Sequence, residues 1–194
     1  MSLPAPRSRL FVALPIPDPV RALLAGHLAR CAAVAPQQRW SPASNLHLTL
    51  RFLGWLESDA AERVGSELAT VRHRGFTVTL GGVGRFGSAT RPRVLWLGVE
   101  DGLEPLRALA EAVGEACRRA GEPGDERTYN PHLTLCRVRP AAPLPRLPAP
   151  PPIPPWGARS FTLFESRPGR GGSRYLPLRN YPIGASSSRP GDAE

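Results

Sequence analysis

The chain of 194 residues contains no lysine. A P-loop, whose lysine reaches the phosphates of a bound nucleotide, is thereby excluded, and so is any ligase chemistry that passes through an adenylylated lysine. Cysteine is scarce: Cys31, Cys117 and Cys136 stand in no Cys-x-x-Cys or zinc-finger spacing. That argues against a disulfide scaffold and for a reducing compartment. Long apolar runs are missing as well. The one near the N-terminus, residues 10–17, is too short to span a bilayer and lacks the pattern of an export signal. A cytoplasmic protein without a membrane anchor is expected, and no obligate protein partner is evident.

Proline and arginine are abundant. The 24 prolines assign much of the chain to loops, while an apolar fraction of 41% still supports a globular core. The net charge of +9 is carried entirely by arginine, set against 16 acidic residues. A biased codon supply would also replace every lysine, so the field fits a phosphate ligand or nucleic acid without proving one. A chain of this length forms one domain or two small lobes that share a cleft.

Apolar periodicity places strands at 10–14, 46–53, 76–80, 93–99 and 131–138, with helices at 20–34, 58–72 and 103–120. Glycines at 81, 82, 84 and 87 mark an expected turn around Phe86. Residues 140–155 are dominated by proline and read as an extended crossing, two further strands are expected at 160–165 and 175–178, and 185–194 reads as a disordered tail. This order indicates an α+β fold with mostly antiparallel pairing. The expected unit is a single domain over 1–184.

One pentapeptide nearly repeats: Leu46-His47-Leu48-Thr49-Leu50 returns as Pro131-His132-Leu133-Thr134-Leu135. Each copy follows a helix in its own half, which suggests two lobes related by an approximate two-fold axis. In a strand, His47 and Thr49 share one face and the leucines the other, and the same parity holds for His132 and Thr134. Two such pairs facing each other suit a tetrahedral phosphate. One imidazole can activate water while the other protonates the leaving oxygen, and the hydroxyls can bind the non-bridging oxygens, with no metal required. A single His-x-Thr would read as an ordinary strand, but two of the four histidines occupy matching places. His27 and His73 sit in helical stretches and read as solvated.

Two His-x-Thr-x motifs in a chain of this size resemble the 2H phosphoesterase family, most closely its RNA 2′,3′-cyclic phosphodiesterases, also described as 2′-5′ RNA ligase-like proteins. The likeness extends to Arg9-Leu10-Phe11-Val12-Ala13-Leu14, Arg51-Phe52-Leu53-Gly54, Arg93-Val94-Leu95-Trp96, Cys136-Arg137, Tyr175 and Tyr181-Pro182. The resemblance implies a bilobal fold of two pseudo-symmetric sheets with flanking helices around a central cleft. It also implies hydrolysis of an RNA or oligonucleotide 2′,3′-cyclic end to a 2′-phosphate without a cofactor. In that pattern His47 is the proton donor to the departing 3′ oxygen and His132 the acceptor from water. Residues 140–155 depart from the family in their proline content.

Around the motifs, strand parity turns Arg51 to the face of His47, and Arg137 reaches that face only if a bulge re-aims it. Both are candidate phosphate contacts, against solvated or ion-paired arginines. Phe11, Phe52, Phe86 and Tyr129 are candidate stacking surfaces for a base, with core packing the favoured reading for Phe52. Cys136 lacks an orienting acid for a nucleophilic role. Two other readings stay open: ATP-independent 2′-5′ RNA joining at the same site, and a non-catalytic module that binds RNA or nucleotides.

Overall fold

A computed structural model describes residues 7–88, 90–124, 129–140, 144–169 and 172–184, so the expected tail lies outside the described residues. Strand β1 (Arg7–Pro15) is followed by helix α1 (Asp18–Val34), the two-residue strand β2 (Arg39–Trp40) and a 3-10 turn, Ala43–Asn45. Strand β3 (His47–Glu57), helix α2 (Ser58–Leu68), strands β4 (Phe76–Gly87) and β5 (Pro92–Asp101), and helix α3 (Leu103–Arg119) come next. Strands β6 (His132–Arg137), β7 (Trp156–Ala158), β8 (Ser160–Gly169) and β9 (Gly172–Pro182) complete the order.

Every described strand pair is antiparallel. The strands run β7-β4-β5-β6-β3-β1-β8-β9, with β2 added beside β6. The two expected sheets are thus halves of one curled sheet, joined at its centre by the pair Leu48–Leu133 of β3 and β6. Both leucines are fully buried.

The helices bury stripes of helical period against the leucine side of the sheet. Helix α3 buries Leu106, Leu109, Ala110, Val113 and Cys117, and α2 buries Ala60, Val64 and Leu68. These residues form one core with Leu10, Val12 and Leu14 of β1 and with the motif leucines of β3 and β6. Helix α1 buries Val20, Leu24, His27, Leu28 and Cys31. His27 therefore corrects the expectation of a solvated side chain: it is 2% exposed, its Nε2 lies 3.6 Å from Cys31 Sγ, and burial lowers its pKa. His73 stays partly exposed beside Phe76, with Nδ1 donating to the Arg74 carbonyl at 2.7 Å.

The glycine-rich turn expected around Phe86 is instead the second half of β4, which pairs with β5 as far as Gly87. Glycine is used there for close approach. A Cβ on Gly81 would lie 1.9 Å from the Glu100 carboxylate, and one on Gly84 would lie 2.1 Å from the Trp96 ring. Large cross-strand side chains of β5 fill the space that side chains of β4 would otherwise take.

In the proline-rich crossing, residues 144–155 form no regular element, but Leu144, Leu147 and Ile153 pack against the core. The crossing ends in β7, a short edge strand that sequence periodicity missed. Among the described residues no helix is long and apolar enough to cross a membrane.

Candidate active site

The leucines of β3 and β6 face the helices, leaving His47, Thr49, His132 and Thr134 on the opposite face of the two central strands. All four line a single cleft of about 1370 Å³. Leu48 pairs with Leu133, so carrying the antiparallel register one residue each way sets His47 across from Thr134 and Thr49 across from His132. The two His-x-Thr pairs are therefore related by the local two-fold of this one antiparallel strand pair.

Each imidazole is fixed in the same way. His47 Nδ1 donates to the Asn45 carbonyl at 2.6 Å, and His132 Nδ1 donates to the Asn130 carbonyl at 2.7 Å. A carbonyl can only accept, so the neutral rings carry their proton on Nδ1 and leave Nε2 as the basic atom. The Thr49 hydroxyl, 2.9 Å from His47 Nε2, donates to it. The echo in the sequence therefore begins one residue earlier than the pentapeptide, at Asn45 and Asn130.

Burial pushes the His47 pKa down to about 4; the Asn45 hydrogen bond opposes that shift and positive charge on His132 adds to it. Burial also lowers the His132 pKa, with Asn130 opposing and Arg137 adding to the decrease. Burial thus disfavours the charged form of both rings.

Two bulges re-aim the residues that follow the motifs. In β3 the pairing steps from Thr49–Ala13 to Arg51–Val12, so Leu50 and Arg51 both turn inward. Arg51 packs toward α3, near Gly114 and Cys117, and its Nε and Nη2 are buried without a hydrogen-bond partner among the described residues. Arg51 is therefore corrected: it is not a cleft residue. Phe52 takes the cleft position in its place, 50% exposed, which overturns the preference for core packing.

In β6 the equivalent step is from Thr134–Trp96 to Cys136–Leu95. Leu135 and Cys136 are buried, and Arg137 emerges into the cleft, close enough to lower the His132 pKa. The bulge that the sequence reading required for Arg137 is present. Cys136 points away from the cleft, and burial raises its thiol pKa to about 11, in keeping with the rejection of a nucleophile.

The aromatic candidates divide differently from expectation. Phe11 lines the cleft floor but is only 3% exposed, held between Phe164 at 5.3 Å, Tyr175 at 4.8 Å and His47 at 4.9 Å between ring centroids. It supports the His47 ring and has no free face for a base. Tyr129 is also corrected: it packs against the core, its hydroxyl is buried, and burial raises its pKa. Phe86 does line the cleft, edge-on to His132 at 4.8 Å, with Trp96 behind at 6.2 Å. The support of His132 by Phe86 and Trp96 was invisible in the sequence because the second half of β4 read as a turn.

A curled antiparallel sheet that brings one His-x-Thr pair from each half into a common cleft is the architecture of a 2H phosphoesterase. Comparison with known proteins specifies the family. Residues 16–158 match the model of the 2′-5′ RNA ligase superfamily, and the chain belongs to that family. An RNA 2′,3′-cyclic phosphodiesterase of Aeropyrum pernix is 37% identical over 103 residues, covering 53% of this chain and 58% of its own length. The protein of the same name from Escherichia coli K12 is 32% identical over 179 residues, covering 90% of this chain and 96% of its own length. The crystal structure of E. coli LigT complexed with 3′-AMP superposes with a TM-score of 0.77 at 30% identity, covering 92% of this chain and 99% of that one.

Proposed function

We propose that this chain hydrolyses the 2′,3′-cyclic phosphate end of RNA or oligonucleotides to a 2′-phosphate, using His47 and His132 as proton donor and acceptor. The observation that carries this reading is the matched pair of imidazoles in one cleft. Each is locked through Nδ1 to a carbonyl, and each stands across the central strand pair from the other motif's threonine. The names of the relatives support the substrate class.

In the proposed reaction the cyclic phosphate sits between the two Nε2 atoms. His132 Nε2 takes a proton from water as its oxygen attacks phosphorus. The bond from phosphorus to the 3′ oxygen breaks on the opposite side, and His47 Nε2 gives the leaving oxygen its proton. The Thr49 and Thr134 hydroxyls donate to the non-bridging oxygens as their charge grows. Burial holds the His47 pKa down to about 4, so without an anion beside it the ring is neutral near pH 7. An anionic phosphate beside it favours the imidazolium, so substrate and proton enter together. The assignment of donor and acceptor follows the family pattern.

The described wall of the cleft offers imidazoles, hydroxyls and guanidinium groups, and the proposed steps use these alone. The test is an oligoribonucleotide with a 2′,3′-cyclic end, with the products resolved as 2′-phosphate, 3′-phosphate or joined strands. The expected product is the 2′-phosphate, at a rate unchanged by EDTA. His47→Ala and His132→Ala should each lower turnover by roughly 10²-fold or more. Near-normal rates in either variant, or a requirement for divalent ions, would overturn the mechanism.

A further inference from the structure

The cleft is longer than a single cyclic phosphate requires, and its charge is uneven. Four arginines line it, Arg9, Arg39, Arg137 and Arg139, and no aspartate or glutamate does so among the described residues. None of the four forms an ion pair among the described residues. By contrast Arg63, Arg107, Arg118 and Arg119, on or against the outer helices, are each matched with a glutamate.

Three of the cleft arginines gather at one end. Arg39 of β2 stands directly opposite Arg137 of β6 in the antiparallel register. Like charges directly opposite each other oppose strand pairing, yet β2 consists of only Arg39 and Trp40. Arg139 is drawn to the same place because its backbone N–H donates to the Oε1 of the buried Gln38 at 2.7 Å. That bond ties the segment after β6 to the segment before β2, so both outer arginines line the cleft from neighbouring stretches of backbone. Arg137 interacts with His132 and so belongs to the reacting phosphate. The backbone at this end of β6 lies five steps beyond His132, at most roughly 16 Å at 3.3 Å per residue along the bulged strand, and the segment carrying Arg139 continues past it. A mononucleotide held at the histidines does not span that interval, whereas a strand of several nucleotides does.

We infer that Arg39 and Arg139 form a second phosphate site, which binds an internal phosphodiester of a single-stranded RNA whose cyclic end lies between His47 and His132. This rests on the proposed function and extends it. The site makes the protein prefer oligonucleotides over cyclic mononucleotides, because only the longer substrate carries a phosphate to this end of the cleft. Guanidinium groups suit the role, being permanently charged and able to bind phosphate oxygens in a fork.

The test compares a 2′,3′-cyclic mononucleotide with a short oligoribonucleotide bearing the same end, in the full chain and in Arg39→Gln, Arg139→Gln and the double variant. For the oligonucleotide, KM should rise about tenfold per variant with kcat preserved. The cyclic mononucleotide should be turned over as by the unaltered chain. Arg→Lys at either position should recover part of the loss. Binding of a labelled oligonucleotide ending in a 2′-phosphate, followed by fluorescence anisotropy, should lose about 0.7 from its log–log salt slope for each contact removed. Equal effects on both substrates, or no effect on either substrate or on binding, would overturn the second site. If the unaltered chain turns over neither substrate, the proposed reaction fails, and anisotropy alone then decides whether the arginines bind the strand.

Discussion

Leu48 and Leu133, fully buried and paired across the centre of the sheet, set the geometry of the cleft on its other face. Because side chains alternate along a strand, fixing these leucines toward the helices fixes His47, Thr49, His132 and Thr134 toward the cleft. The antiparallel register then determines which imidazole faces which hydroxyl. Core packing and active-site geometry are consequences of one register.

The threonines are the simplest test of that arrangement. Thr49→Val and Thr134→Val keep the shape and remove only the hydroxyl. If each hydroxyl stabilises charge that develops on phosphorus, kcat should fall by roughly 10²-fold in either variant while KM changes little. Steady-state kinetics on the cyclic end would measure this. A loss confined to KM would assign the threonines to ground-state binding.

Arg51 and Phe52 test the first bulge. Strict alternation assigns Arg51 to the cleft and Phe52 to the core, and the structure reverses both. Phe52→Ala should therefore leave the melting temperature nearly unchanged and weaken substrate binding, since stacking of a base on an exposed ring contributes about 1–3 kcal/mol. Arg51→Met should leave kcat/KM unchanged and hold or raise the melting temperature, because its Nε and Nη2 are buried without hydrogen-bond partners among the described residues, which is destabilising. The opposite pattern would mean that alternation runs unbroken through β3.

Much of the site was legible in the sequence because it depends on period. His47 and Thr49, and His132 and Thr134, follow from strand alternation, and the helices follow from their apolar stripes. The misassigned residues have other causes. Arg51 and Phe52 depend on a bulge opposite β1, a property of pairing between strands rather than of β3 itself. Gly81 and Gly84 read as a turn because the side chains that exclude a Cβ, Glu100 and Trp96, belong to another strand. His27 read as solvated because its immediate neighbours on α1 are small or polar, whereas it lies on the buried face of that helix with Leu24, Leu28 and Cys31.

The His47 pKa makes a statement about stability. Its folded value, about 4, lies below the value of 6.5 for a free histidine, so on acidification the unfolded chain takes up a proton first. The stability associated with neutral His47 is complete above pH 6.5 and is lost progressively as the pH falls toward 4. The full loss is ~3 kcal/mol at 1.36 kcal/mol per pKa unit. Urea midpoints measured across that window should fall with decreasing pH, and His47→Gln should flatten part of the slope. An unchanged slope in the variant would mean that His47 is not the buried base.

Arg137 and His132 connect the charge of the cleft to its pH dependence. The proposed reaction needs one proton shared by two imidazoles, so kcat/KM should follow a bell whose flanks belong to the pair. Burial lowers both pKa values, and the guanidinium of Arg137 lowers that of His132 further. The maximum should therefore lie on the acid side of the ordinary histidine pKa near 6.5. Arg137→Gln removes a positive charge beside His132, so that ring should hold its proton to higher pH and the alkaline flank should move upward. If Arg137 also binds the phosphate, the same variant should raise KM. High salt should reproduce part of the flank shift in the unaltered chain by screening Arg137, and in Arg137→Gln salt should have less effect on the flank. A flank that stays in place in Arg137→Gln would separate Arg137 from the proton chemistry and leave it a binding role alone.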